Sequence, residues 1–432
     1  MLKFRCESQK IDFFLYFCIL SLVTWSFGEL LDNIISLKNY AKESLINKGN
    51  EAIYNNSIDE AMVIFEKANK QFPNESSILY NLAAIYIEKG RTEESETLLR
   101  QALEHDPNHI YTLIGLANII YYKTEKFDQA KIYLDLALKN NPDSYEVYSS
   151  YANLSMLENN LPEAANHFLR ALQINPEYEV ALSGLSTTYN FLGMRFVSQH
   201  KFEKALFYFK QSISFNEEWL APRLNMARTF GFIKRYNNAF SMIYEVKSIL
   251  GKISLNSIDI ENTDTEYLNT LLMVNLTEAK LLYQKKETEE ATKMLEEIHN
   301  LNDLLPTLNY TLALIALDNN ELTKARDYIK KEMEVTYNSI KVKTLRYIIH
   351  KKLNTASSWK AIHLNIIKKS SSNPYKVFDS GLLLKKYNQE EESNDLFNYA
   401  KKLNYNLFNE LSKENDIDLL TSISNDDNSN LI

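Results

Sequence analysis

Four prolines, Pro73, Pro107, Pro142 and Pro176, stand 34, 35 and 34 residues apart, and each closes the same phrase. The phrases are Ala61-x3-Phe65-x2-Ala68, Ser95-x3-Leu99-x2-Ala102, Ala130-x3-Leu134-x2-Ala137 and Ala164-x3-Phe168-x2-Ala171, with the proline five residues further on. A small residue, a large apolar one four later and a small one three after that share one helical face. The small residues let a neighbouring helix approach closely, and the large one fills the space between. Proline stops each helix because it has no N–H for the ladder and restricts the residue before it.

A second helical face precedes each phrase. In the second unit it is Leu79, Leu82, Ala83 and Tyr86, ending at Gly90, where a turn is easy. The unit is therefore helix, tight turn, helix. With a period of 34 and these small and large positions, the stretch resembles the tetratricopeptide repeat (TPR) family. The resemblance implies an all-α fold, a right-handed α-solenoid in which each pair buries its apolar side only against its neighbours.

Outside the four clear units the rhythm weakens. Ala205 and Phe209 continue it, but Ala164 to Ala205 is 41 residues, so the first helix of the fifth unit is expected to lengthen by about two turns, from about Val180 to Gln199. Such an extension is either a neutral insertion or a spur for a partner. The sixth unit pairs Leu224 and Ala227 with Ala239 and Ile243, closing a six-repeat array over 42–250. A polar, acidic segment, 251–265, is expected to link it to about four worn units over 266–412. A lead-in occupies 29–41, and 413–432 reads as an acidic disordered tail.

Nine glycines and eight prolines in 432 residues fit an almost wholly helical chain. Its net charge of −8 gives no clustered basic face for nucleic acid. Lys3, Arg5 and Lys10 precede an apolar run from Phe13 to Trp25. Residues 1–28 read as a cleaved export signal, as an uncleaved anchor tethering the chain to a membrane through 11–27, or as a buried helix. Both cysteines, Cys6 and Cys18, fall inside this stretch, so disulfides have no role in the array.

The sequence holds no phosphate loop, zinc spacing or nucleophile elbow, and no catalytic residue, cofactor or metal site is expected. His105 and His109 are split by Pro107 and cannot share a helical face. The resemblance instead implies binding along the first helices of successive units. The candidates are Asn50, Ile53, Tyr80, Ala84, Ile87, Asn118, Tyr121, Asn153, Met156, Thr187, Asn190, Arg228 and Phe232. Asparagines at one phase would hydrogen-bond a peptide backbone, with aromatic and aliphatic neighbours as anchors.

A carboxylate clamp of the co-chaperone type is excluded. Asn50 and Asn81 match its amides, but Ile46, Tyr111 and Gly115 stand where cations are needed. The expected function is a non-catalytic scaffold, exported or membrane-tethered, holding an extended peptide or helix of a protein partner. A cytosolic adaptor with a packed N-terminal helix is the alternative, and a subunit of an enzyme a more remote one.

Overall fold

The computed structural model describes residues 35–404 apart from 125, 252–254, 256–262, 337, 354–364, 366–367 and 370. The expected signal and tether, the acidic tail, most of the 251–265 segment and most of 354–370 lie outside the described residues. Among those described there are nineteen helices and no strand. The fold class is all-α, an α-solenoid of helix-turn-helix pairs.

The helices are α1 (35–54), α2 (Ile58–Gln71), α3 (Ser76–Glu88), α4 (Thr92–His105), α5 (Ile110–Thr124), α6 (Phe127–Asn140), α7 (Tyr145–Leu157), α8 (Leu161–Ile174), α9 (Glu179–Ser198) and α10 (Phe202–Phe215). They continue as α11 (Leu220–Phe232), α12 (Tyr236–Leu250), α13 (Thr265–Gln284), α14 (Thr288–Leu301), α15 (Leu308–Asp318), α16 (Leu322–Val335), α17 (Ile340–Lys352), α18 (Pro374–Lys386) and α19 (Glu390–Leu403). Odd-numbered helices up to α17 are first helices of their pairs. In the last pair α18 comes first and α19 second.

Two features recur along the chain. The second helices bury the small-large-small phrase: Ala61, Phe65, Ala68, Ala164, Phe168 and Ala171 are all fully buried. Opposite the large residue stands a small one on a first helix. A Cβ at Gly49 would overlap the Phe65 ring, and one at Gly184 the Phe168 ring. In eight pairs the inner turn places one described residue in the left-handed region: Asn56, Gly90, Asn159, His200, Lys234, Lys286, Asn320 and Asn388. Its N–H and the next one fold back onto the helix just ended, as in Gly90 N–H to the Ile87 carbonyl and Arg91 N–H to that of Tyr86. Asparagine and glycine dominate because they tolerate this backbone best.

The chain divides into two compact units, residues 1–158 with 170–176 and residues 159–169 with 177–432. In the first, small cores follow one another between adjacent helices. Ala52, Phe65, Ile78 and Leu82 form one, Ala83, Leu99 and Leu116 the next, then Leu113, Leu134 and Val147. In the second, α9 is 20 residues long against 13 for α11, the extension expected from the spacing. Leu224, Ala227, Ile243, Val246, Val274 and Leu281 make a core shared by α11, α12 and α13. The Tyr267 hydroxyl donates to the Leu250 carbonyl at 3.0 Å and that of Tyr236 to Gln284 at 2.9 Å. The polar 251–265 segment thus interrupts the sequence rhythm without interrupting the packing of the helices it joins.

Candidate binding faces

In the first unit, helical periodicity carries each first helix's exposed stripe through positions i, i+3, i+7 and i+10. On α3 these are Ser77, Tyr80, Ala84 and Ile87; on α5, Tyr111, Ile114, Asn118 and Tyr121; on α7, Glu146, Asn153 and Met156, Ser149 at the remaining position being buried. On α1 the stripe ends with Asn50 and Ile53. The polar row is open, with Asn50, Asn118 and Asn153 exposed. Their amides make no hydrogen bond to other described residues. Beside it runs an apolar row in which Ile53, Tyr121 and Met156 are half-buried and Ile87 is exposed. Tyr121 leans on Phe127, their ring centroids 4.7 Å apart.

An aromatic group lies towards the N-terminal ends of these stripes. Tyr80, His109 and Tyr111 have ring centroids 5.6 to 6.1 Å apart. The Tyr111 hydroxyl donates to Glu146 Oε1 at 3.1 Å, and Ser144 donates to the other oxygen at 2.7 Å. Burial, and then the Glu146 carboxylate, pushes the Tyr111 phenol up to about 12, so it stays a donor at all ordinary pH. Burial also pushes the His109 imidazole down, against the pull of Asp106 and Glu75, favouring its neutral form. His109 Nδ1 lies 2.7 Å from the Thr112 hydroxyl. Sequence reasoning did not bring His109 and Tyr111 together with Tyr80. The signal was present, since Tyr111 and Glu146 occupy equivalent positions 35 residues apart.

The second unit is different, and two candidates there are corrected. Asn190 is 4% exposed and Phe232 6% exposed, so neither faces an open surface. Phe232 packs into a core with Val197, Ala205 and Phe209. Asn190 Oδ1 accepts from Asn225 Nδ2 at 2.9 Å. Arg228, half-buried, donates to the Thr277 hydroxyl at 3.1 Å and reaches Asn225 Oδ1 at 3.5 Å. A polar chain thus ties α9, α11 and α13 together. Thr187 is half-buried, its hydroxyl turned back to the Ser183 carbonyl at 2.9 Å.

The amides that matched a carboxylate clamp behave differently from each other. Asn81 Nδ2 is turned onto its own helix, 2.9 Å from the Ser77 carbonyl, while Asn50 is open. No group of three or more His, Cys, Asp or Glu residues is placed to hold a metal among the described residues. No described helix is long and apolar enough to cross a membrane.

Residues 52–115 and 119–179 match two models of the tetratricopeptide repeat. The chain is 24% identical over 102 residues to a TPR repeat-containing protein, YsoA, of Bacillus subtilis, covering 24% of this chain and 30% of that one. It is 26% identical over 132 residues to TPR repeat-containing protein PA4667 of Pseudomonas aeruginosa, covering 30% and 22%. The chain thus spans less than a third of the length of these relatives. Among solved structures, Pseudomonas aeruginosa pilF aligns with 53% of this chain and 92% of its own at 19% identity and a TM-score of 0.38. The stretch that sets the rhythm of this chain, residues 52–179, is built of tetratricopeptide repeats.

Proposed function

We propose that this TPR scaffold, a fold suited to protein–protein interaction, binds an extended segment of a protein partner along the first-helix stripes of its first unit, without catalysis of its own. The observation that carries this reading is the pairing of two rows: open, unbonded amides at Asn50, Asn118 and Asn153 beside the apolar Ile53, Ile87, Tyr121 and Met156. A carboxamide both donates and accepts, so it can meet either polar group of an extended backbone whatever the side chains are. The apolar row and the Tyr80, His109 and Tyr111 rings supply desolvated contact area. The helices that carry the rows are fixed by their own cores, so little ordering accompanies docking.

Affinity capture with the parent and with an Asn50→Ala, Asn118→Ala, Asn153→Ala variant tests the reading. Each lost amide bond costs about 1 kcal/mol, so the triple change weakens a partner's Kd by well over tenfold. A variant that retains every partner at parental affinity refutes the assignment.

We further propose that the chain is exported or held at a membrane, on the strength of Lys3, Arg5 and Lys10 ahead of the apolar run Phe13 to Trp25. N-terminal sequencing of the mature protein, with protease protection, separates this from a cytosolic adaptor. An intact Met1 on a soluble cytosolic form excludes export.

A further inference from the structure

The stripes of the first unit carry charge of one sign. With Glu43 and Ile46 opening the stripe on α1, their positions hold two carboxylates, Glu43 and Glu146, and no lysine or arginine. Both carboxylates stand at the N-terminal ends of their stripes, so the negative charge is gathered along one edge. Lys42, next to Glu43, is engaged elsewhere, 3.2 Å from Glu75. His109 adds no positive charge at neutral pH, because burial favours its uncharged form.

Glu146 is held in one place. It is half-buried, and its two oxygens accept from the Tyr111 hydroxyl at 3.1 Å and the Ser144 hydroxyl at 2.7 Å. These neutral donors fix the carboxylate and leave each oxygen a further lone pair. No described lysine or arginine forms an ion pair with it. The first turn of α7, whose N–H groups favour an anion, accommodates the charge instead. Beside it the Tyr111 ring is 45% exposed, supported by Tyr80 and His109 with centroids 5.6 and 6.1 Å away. An exposed ring hydrogen-bonded to a carboxylate offers a cation a π face and a counter-charge together. A planar guanidinium can stack on the ring and donate twice to the carboxylate, which an ammonium cannot.

We propose that the partner segment places an arginine at the Tyr111–Glu146 edge of the first unit, across the amide row from Ile87, Tyr121 and Met156. Its guanidinium lies over the Tyr111 ring and pairs with the Glu146 carboxylate. The inference rests on the stripe reading above, and adds the charge of the partner and the edge at which that charge sits.

Selection of random phage-displayed peptides on the full chain, followed by titration of a synthetic peptide from the selected set, tests it. The selected peptides share an arginine, and exchanging it for the neutral, near-isosteric citrulline weakens binding to the parent about tenfold. In Glu146→Gln the same exchange changes Kd by about twofold or less, since the two groups act as a pair. The citrulline exchange leaves the protein untouched, so no folding defect can imitate it. Peptides that need Asn50, Asn118 and Asn153 but share no arginine overturn this inference and leave the stripe reading standing. A citrulline penalty of equal size in Glu146→Gln does the same. Peptides indifferent to the changes at Asn50, Asn118 and Asn153 overturn both.

Discussion

At the scale of single residues, small positions decide how closely helices meet. Gly184 lies half-buried against the Phe168 ring, and any Cβ there would overlap it. Gly184→Ala gains helix propensity of roughly 1 kcal/mol. Overpacking costs about 1–3 kcal/mol and should win, lowering the urea midpoint. Gly90→Ala meets no atom within 4 Å, so only its φ of +74° opposes the change. Glu392 gives a pH prediction. Burial pushes its carboxyl up, but hydrogen bonds from Lys351 and Tyr347, at 2.5 and 2.9 Å, outweigh that and hold it below the ordinary 4.5. A lowered folded value means its stabilisation is complete above about 4.5 and fades as pH falls through the folded value. The difference in urea midpoint between the parent and Glu392→Gln should therefore be constant near neutrality and shrink in acid.

At the scale of elements, α15 shows how a departure from the repeat is repaired. Its N-cap, Thr307, sits at φ +67° and gives no side-chain cap. Glu332 takes over from α16, at the small position that Ala68 and Ala102 fill in earlier units. Fully buried, it accepts from Thr307 N–H at 2.9 Å, Tyr310 N–H at 3.1 Å and the Thr336 hydroxyl at 2.8 Å. A carboxylate at a helix N-terminus satisfies donors that otherwise have none. Glu332→Ala leaves those donors unmet and should cost about 3 kcal/mol. Hydrogen exchange should locate the loss in α15 and α16. In the sequence, glutamate at that position reads only as a worn repeat, because the backbone it serves is 22 to 25 residues earlier.

At the scale of the molecule, stability is a sum of neighbour contacts. Phe65→Ala empties the first core and should cost about 3–5 kcal/mol. Exchange should quicken in α1 to α3 first and fade through α5 and α7, because among the described residues no core of the first unit reaches across it. Uniform loss of protection throughout the first unit would contradict linear coupling. The repeat pairs, their turns and the long α9 were readable, since spacing and small residues are local properties of the chain. The candidate faces were readable only in part. Asn118 and Asn190 were chosen by the same periodicity, yet one is open and the other 4% exposed. Phase fixes which side of a helix a residue takes, and not what the next helix lays over it.

The sequence alone determined that the chain is helical, that it pairs its helices at intervals of about 34 residues, and that proline and glycine punctuate them. These are short-range consequences of backbone sterics and one-sided apolar patterning. Tertiary structure alone decided that Arg228 would be spent on Thr277, that Glu332 would cap a helix in the same unit, and that His200 would meet Asp379 across 179 residues. Each depends on small rotations accumulated over several stacked pairs, which no window of sequence contains.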